Sequence, residues 1–234
     1  MKFKIDSKIF EKFQGLCVGI VIAKGLNNAG LPEGIEAQLR VHEAQIRARL
    51  NAETLSQEPR IACWRAAYSA FGGKPKENRS SVENLYRLVL KGGELRHINK
   101  LVDLYNLVSL KHMVPVGGED IDKISGDIEL TFAGPAELPA LMLGDKEPRP
   151  PHEGEVIYKD SVSAICRRWN WREADRTKLT EETKNCILVV EGLPPVTRAE
   201  VEAATGELKA LVQRICGGTV IQALLDETNA EIEL

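Results

Sequence analysis

The segment from Arg96 to His112 constrains the fold most, because it is apolar around almost its whole circumference when placed on a helix. Five apolar residues share one face at helical spacing: Ile98, Leu101, Val102, Tyr105 and Val108. Leu104 and Leu107 make a second side apolar as well. Helices of this kind are usually enclosed by protein. The sequence therefore predicts a buried helix that the rest of the chain packs around.

A row of polar residues interrupts this apolar helix. Asn99, Asp103 and Asn106 are spaced four and three residues apart, so they lie on one face. Buried amides and carboxylates need either hydrogen-bond partners or a ligand. Two interpretations stay open: the three residues cap neighbouring loops, or they line a polar pocket.

The order of predicted elements indicates an α+β fold. Amphipathic helices dominate the first half of the chain, and after His112 the hydrophobic period changes to the alternation that is typical of strands. We expect a helical N-terminal half packed on one mixed or antiparallel sheet, in a single domain over residues 1–234. Strands are expected at 1–6, 16–23, 127–133, 138–143, 155–159, 163–171, 186–190 and 219–225.

Composition excludes several classes of protein. Of 234 residues, 43% are hydrophobic and 28% are charged, which is typical of globular proteins. The longest apolar run, Leu16 to Ala23, is far shorter than the roughly 20 residues that a membrane helix needs. The five cysteines are scattered and form no Cys-x-x-Cys pair. We expect reduced thiols in a cytoplasmic protein, with no metal site, no cofactor and no membrane partner.

Charge is unevenly distributed along the chain. The net charge of −3 argues against a general binder of nucleic acids, DNA included. Residues 60–112 nevertheless carry ten Lys and Arg against four Asp and Glu. This excess permits contact with a phosphate backbone at one place, and Lys74, Lys76 and Arg79 in a polar loop are the candidates. The alternative is a solvated face whose charge has no partner.

A second cluster runs from Cys166 to Arg172 and combines arginines with tryptophans. If the segment is a strand, Arg167, Trp169 and Trp171 face one way, and Arg168, Asn170 and Arg172 face the other. Arginine beside tryptophan can stack on a nucleobase or hold a phosphate or carboxylate. The alternative is that the tryptophans belong to the core and the arginines extend past them to solvent.

The helix motif carries a family resemblance. The run Ile98-Asn99-x-Leu101-Val102-Asp103-x-x-Asn106-x-Val108 resembles the tRNA-binding and editing (B3/B4) domain of the phenylalanyl-tRNA synthetase β subunit, which reads roughly I-x-x-V-V-D-V-T-N-Y-V. The resemblance continues through 120–133 and 183–185 and spans residues 60–192. Residues 63–65 and 167–172 look more like stand-alone relatives of that domain.

The resemblance implies a chemistry. The synthetase domain hydrolyses tyrosine wrongly esterified to phenylalanine tRNA, with a positioned water and without a metal or a covalent nucleophile. This chain departs from the pattern, since Tyr105 replaces a threonine, 114–117 lacks the pocket histidine, and 166–171 replaces a glycine-rich loop. Glu191 corresponds, with a shift of two residues, to the glutamate that reads tyrosine. Tyrosine specificity is therefore not carried over.

By this resemblance the chain is expected to be a free-standing deacylase that binds tRNA and clears mischarged aminoacyl-tRNA. Asn106 and Asp103 are then the candidate catalytic residues, and Lys74, Lys76 and Arg79 would contact tRNA. The candidate substrate-binding residues are Asn99, Tyr105, Arg168, Trp169, Asn170 and Glu191. Two alternatives remain: a non-catalytic module that binds tRNA or an amino-acid-like ligand, and a structural protein whose basic patch meets an acidic partner.

Overall fold

The computed structural model describes all 234 residues and contains six α-helices and ten β-strands. The helices are α1 Ser7–Lys12, α2 Ile35–Arg49, α3 Pro59–Ala70, α4 Ser81–Leu90, α5 Lys100–His112 and α6 Arg198–Ile215. The strands are β1 Lys2–Ile5, β2 Cys17–Lys24, β3 Val116–Asp120, β4 Ile128–Phe132, β5 Val156–Lys159, β6 Ala164–Arg167, β7 Arg172–Glu173, β8 Asn185–Gly192, β9 Thr219–Leu225 and β10 Glu231–Glu233. None of the helices combines the length and the apolar character needed to cross a membrane.

The strands form two sheets, which confirms the α+β class and corrects the expectation of one sheet. A mixed sheet has the order β10-β1-β4-β5-β6-β7, and only its β1–β4 pair is parallel. An antiparallel sheet has the order β3-β8-β2-β9. The strands β2 and β8 pair along their full length, from Cys17 opposite Gly192 to Lys24 opposite Asn185. Because β2 is occupied on both edges, by β8 and β9, it cannot join the mixed sheet.

Helix α5 is enclosed, as its sequence predicts. Nine of its thirteen residues are buried, and the helix packs against α2, α4, α6 and β3. Asn99 caps its first turn, and the helix ends at Met113, whose φ of 52° turns the chain toward β3. Ile98 lies before the helix and is 62% exposed, so it does not belong to the apolar face assigned to it.

A hydrophobic core of 57 buried residues draws on both sheets and on the helices between them. Trp169 is fully buried there, with its ring edge-on to Trp64 and to Phe13 at centroid distances of 5.1 Å and 4.7 Å. The alternative that places tryptophans in the core therefore holds for Trp169. Trp171 is only partly buried against the same core.

The strand expected over 163–171 is wrong beyond Arg167. Arg168 and Trp169 adopt left-handed backbone conformations, with φ of 48° and 65°, and the chain turns before β7. The turn is closed by the Trp171 N–H, which donates to the carbonyl of Arg167 at 3.2 Å. The alternation of faces predicted for 167–172 is lost at this turn. Residues 138–143 form only isolated bridges, at Ala140 and Met142.

Candidate functional site

A cavity of about 310 Å³ lies where α5, the β3–β8 edge of the antiparallel sheet and strands β5–β7 of the mixed sheet meet. This volume is at the lower end of the range for small-ligand sites. Its walls are mainly aliphatic and aromatic. Polar and charged side chains reach it at separate places: Ser81, Asn84, Tyr105, Asn106, Glu119, Tyr158, Asn170, Arg172, Glu173 and Glu191.

Glu191, near the end of β8, is the centre of a hydrogen-bond network at the closed end of the cavity. One carboxylate oxygen accepts from the Tyr158 hydroxyl at 2.5 Å and from the Trp169 indole N–H at 2.7 Å. The other accepts from the Asn170 side-chain amide at 2.7 Å. Burial raises the pKa of Glu191 to about 7, and the three donors oppose that rise. The structure thus brings together three of the residues that the sequence nominated, namely Trp169, Asn170 and Glu191.

Helix α5 presents Tyr105 and Asn106 to the cavity, and neither side chain makes a hydrogen bond within the chain. Asn106 is only 8% exposed, and the cavity is the space in which its amide can meet a hydrogen-bond partner. Burial raises the pKa of Tyr105 well above its usual value, so its phenol stays protonated. An asparagine amide both donates and accepts. Asn106 therefore retains its full capacity to bind a ligand.

Asn99 has a structural position and does not line the cavity. Its side-chain oxygen accepts from the Val102 N–H and from the Asn28 amide, both at 3.1 Å. Its side-chain nitrogen donates to the carbonyl of Leu179 at 3.1 Å. These three bonds cap α5 and fasten it to two loops.

Asp103 is also directed away from the cavity. Its carboxylate accepts from the Ile98 N–H at 3.2 Å and lies 2.5 Å from the His97 ring Nδ1. Each of the two interpretations, loop capping and pocket lining, therefore applies to part of the polar row. Asn99 and Asp103 bond neighbouring chain segments, as the capping interpretation has it, and only Asn106 lines the cavity.

Glu119 on β3 and Glu173 on β7 line the cavity, and the sequence analysis missed both. Glu173 accepts from the Gly118 N–H at 3.2 Å, and a Cβ on Gly117 would lie 2.8 Å from its carboxylate. Burial raises the pKa of Glu173 to about 7. A signal existed in the sequence, since consecutive glycines inside a strand often mark the close approach of another group.

Glu119 is a buried carboxyl without a counter-charge. The residue is 7% exposed, and the Thr177 hydroxyl, itself buried without another partner, is the group of the chain that bonds its carboxyl. Burial raises the pKa of Glu119 well above its usual value, and the nearby Glu173 carboxylate raises it further. The hydrogen bond from Thr177 opposes that rise. A buried carboxyl that lines a cavity without a counter-charge is costly to the fold, so it is a candidate group for binding a ligand.

Half-buried aromatic and basic residues mark the opening of the cavity. The guanidinium groups of Arg168 and Arg172 lie 4.4 Å and 4.3 Å from the centre of the Trp171 ring. Arg172 also donates to Asp145 at 2.6 Å. Arg168 does not line the cavity itself, and Arg167 is buried in an ion pair with Glu155 at 2.8 Å.

The basic loop between α3 and α4 precedes the helix whose first residue, Ser81, lines the cavity. Lys74 and Lys76 are exposed, although Lys74 lies 3.5 Å from Glu77. Arg79 lies 3.7 Å from the buried carboxylate of Glu83 and precedes by two residues Ser81, which lines the cavity. Part of the positive charge predicted for the segment is therefore neutralised within the chain.

Comparison with known proteins identifies the family. The model of the B3/4 domain matches residues 63–217. The chain belongs to the B3/4 domain family. All residues that line the cavity except Phe3 fall within the matched range, including Asn106 and Glu191. The B3/4 match confirms the resemblance expected from the α5 motif and extends it through α6.

Two further similarities accompany the family match. The uncharacterized protein YhzB of Bacillus subtilis (strain 168) is 17% identical over 219 residues, which cover 94% of this chain and 97% of that protein. A crystal structure of an N-terminal fragment of the phenylalanyl-tRNA synthetase β subunit from Pyrococcus horikoshii is 16% identical, with a TM-score of 0.46. The match covers 96% of this chain and 54% of the fragment, so this chain spans about half of the fragment's length.

Proposed function

We propose that this B3/4 domain binds the aminoacyl end of a tRNA in the cavity and hydrolyses the ester that joins the amino acid to the ribose. The observation that carries the proposal is the pairing of Asn106 and Glu173 in one amino-acid-sized cavity. The Asn106 amide makes no bond within the chain, and the pKa of Glu173 is raised to about 7 by burial. A carboxyl with such a pKa exchanges protons readily near neutral pH.

The reaction needs only water besides the ester. The Glu173 carboxylate accepts a proton from a water molecule as the water oxygen attacks the ester carbonyl carbon. The charge that develops on the carbonyl oxygen is stabilised by a hydrogen bond from the Asn106 amide. The bond to the ribose oxygen then breaks, and Glu173 returns its proton to that oxygen. The products are the free amino acid and a tRNA with a free terminal hydroxyl.

The remaining cavity residues fit the amino-acid side chain. Glu191 fixes the positions of Tyr158, Trp169 and Asn170, which close the far end of the cavity. Rigidly held side chains of this kind support discrimination by shape, because they cannot yield to an ill-fitting group. Asn99 and Asp103 have no place in the reaction, and their role is to position α5.

The tRNA itself would approach over the opening. The Arg168–Trp171–Arg172 stack offers an aromatic face and two guanidinium groups, which suit a terminal base and its phosphates. Lys74, Lys76 and Arg79 extend this positive surface along the loop before α4. The five unpaired cysteines support a reducing compartment such as the cytoplasm.

Deacylation of a panel of charged tRNAs tests the proposal. The wild-type protein should release at least one amino acid faster than the uncatalysed rate, and Glu173→Gln should slow that release at least about a hundredfold. The matched control is Glu129→Gln, a half-buried carboxylate on β4 that lies outside the cavity. Binding of charged tRNA with no release from any member would instead favour the non-catalytic module. A protein that neither binds any charged tRNA of the panel nor releases its amino acid would contradict the proposed function.

A further inference from the structure

The cavity has an excess of acidic groups. Its lining contains the carboxyls of Glu119, Glu173 and Glu191 and a single basic residue, Arg172. The Arg172 guanidinium is already engaged by Asp145 and by the face of Trp171. None of the three glutamates forms a salt bridge within the chain, so the enclosed space favours a positively charged group.

The three carboxyls differ in the hydrogen bonds that they accept within the chain. Glu191 accepts three hydrogen bonds, and Glu173 accepts one from the Gly118 N–H. Glu119 is more than nine-tenths buried, and its carboxyl is bonded by the uncharged Thr177 hydroxyl and by no cation. A second, uncharged group in the same cavity, the amide of Asn106, is without a hydrogen-bond partner and is 8% exposed. Glu119 lacks a counter-charge and Asn106 lacks a hydrogen-bond partner, so together they indicate a ligand that carries a cation close to a hydrogen-bonding polar group.

The exposure of the lining residues orients such a ligand. Trp171, Arg172 and Glu173 are half-buried and mark the opening, whereas Tyr158 and Glu191 are buried at the closed end. An aminoacyl ester whose ribose stays at the opening has its carbonyl near Glu173. Its α-ammonium group is one carbon away from that carbonyl, which places a cation within reach of the neighbouring carboxyl, Glu119.

We propose that Glu119 binds the α-ammonium group of the amino acid, so that the cavity accepts only aminoacyl groups whose amino group is free. This inference rests on the proposed function, because it uses the same cavity and the same direction of entry. It adds a substrate class: aminoacyl esters are accepted, and formylated, acetylated or peptidyl esters are rejected.

The physical basis is the formation of an ion pair by a buried carboxyl that has no counter-charge within the chain. Within the chain alone, burial and the Glu173 carboxylate raise the pKa of Glu119 and so favour its protonated form. An ammonium group supplies the opposite charge, which lets Glu119 ionise and gives its carboxylate a charged donor. An acylated nitrogen carries no charge and brings an additional group that the enclosed space must hold. Acylation therefore removes the attraction and adds a steric conflict.

Calorimetric titration with amino-acid amides tests the inference without any ester or tRNA. A panel of L-amino-acid amides identifies the tightest ligand, which is then compared with its N-acetyl derivative. We expect N-acetylation to weaken binding to the wild-type protein at least tenfold. Glu119→Gln keeps the shape of the side chain, and it should bring the two affinities within about threefold of each other. Glu129→Gln should retain the wild-type ratio.

Three outcomes would overturn the inference. They are equal binding of free and acetylated amides by the wild-type protein, binding of no amide at millimolar concentration, and an unchanged ratio in Glu119→Gln. The first two need no variant, so they decide the matter even if Glu119→Gln folds poorly. The result is separate from catalysis, since a protein that prefers free amines but releases no amino acid from tRNA would retain this inference and lose the proposed hydrolysis.

Discussion

Two asparagines at the start and the middle of α5 offer a matched pair of substitutions. Asn106→Ala removes an amide that has no partner in the chain, and Asn99→Ala removes one with three hydrogen bonds. Both residues are buried, at 8% and 1% exposure. The same chemical change on one helix is therefore made once at the cavity and once in the scaffold.

The structure gives different magnitudes for the two changes. Asn99→Ala loses a helix cap, worth about 1 kcal/mol, and leaves the Leu179 carbonyl and one of the two Asn28 amide hydrogens without a partner, for a total of roughly 2–4 kcal/mol of unfolding free energy. Asn106→Ala leaves no group of the chain without a hydrogen-bond partner, so the loss of unfolding free energy should stay below about 1 kcal/mol. If the Asn106 amide stabilises the carbonyl oxygen, deacylation should fall at least tenfold, equivalent to about 1.4 kcal/mol.

Urea denaturation and deacylation measured on both variants separate the two roles. Asn99→Ala should lower the denaturation midpoint while the activity of each folded molecule stays near the wild-type value. Asn106→Ala should do the reverse. The reasoning is refuted if Asn106→Ala loses as much stability as Asn99→Ala and keeps its activity, because Asn106 would then be a structural residue.

Three further predictions concern the base, the buried ion pair and the tRNA surface. Because only the ionised form of Glu173 accepts a proton and its pKa is raised to about 7, the deacylation rate should fall about tenfold per pH unit below that value. Glu173→Gln should remove this dependence, which a pH–rate profile measures. Glu155→Gln leaves the buried Arg167 guanidinium without its counter-charge, and chemical denaturation should show a loss of roughly 3–5 kcal/mol. Reversal of Lys74 and Lys76 to glutamate should weaken tRNA binding and reduce the slope of its salt dependence, as filter-binding titrations at several salt concentrations would report; an unchanged slope would place the tRNA elsewhere.

The periodicity of α5 predicted its burial because that property depends on the helix alone. The separate roles of Asn99 and Asn106 depend on what the helix meets. Asn28 and Leu179 come from distant parts of the chain to bind Asn99, whereas no group of the chain binds Asn106. A local cue for Asn99 did exist, since an asparagine directly before the first helical residue is a typical N-cap.

Two features of the site could not be read from local patterns. The segment after Arg167 alternates like a strand, but the burial of Trp169 against Trp64 and Phe13 accompanies a left-handed backbone there. The carboxyl of Glu119 is buried where β3 meets β7 of the other sheet, and the consecutive glycines of β3 indicate a close approach there without revealing which group approaches. Sequence patterns thus predicted the family and most of the elements, but not β3, and the composition of the cavity required the packing of those elements.

A crystal structure with a non-hydrolysable analogue tests the central claim most directly. In a 3′-aminoacylamino-3′-deoxyadenosine, an amide replaces the ester, so the aminoacyl end of a tRNA is represented without cleavage. The account predicts that the amino acid lies in the cavity, with its carbonyl oxygen about 2.7–3.2 Å from the Asn106 amide and the adenosine at the opening beside Trp171. An analogue bound outside the cavity, or bound inside it with its carbonyl remote from Asn106 and Glu173, would contradict the claim.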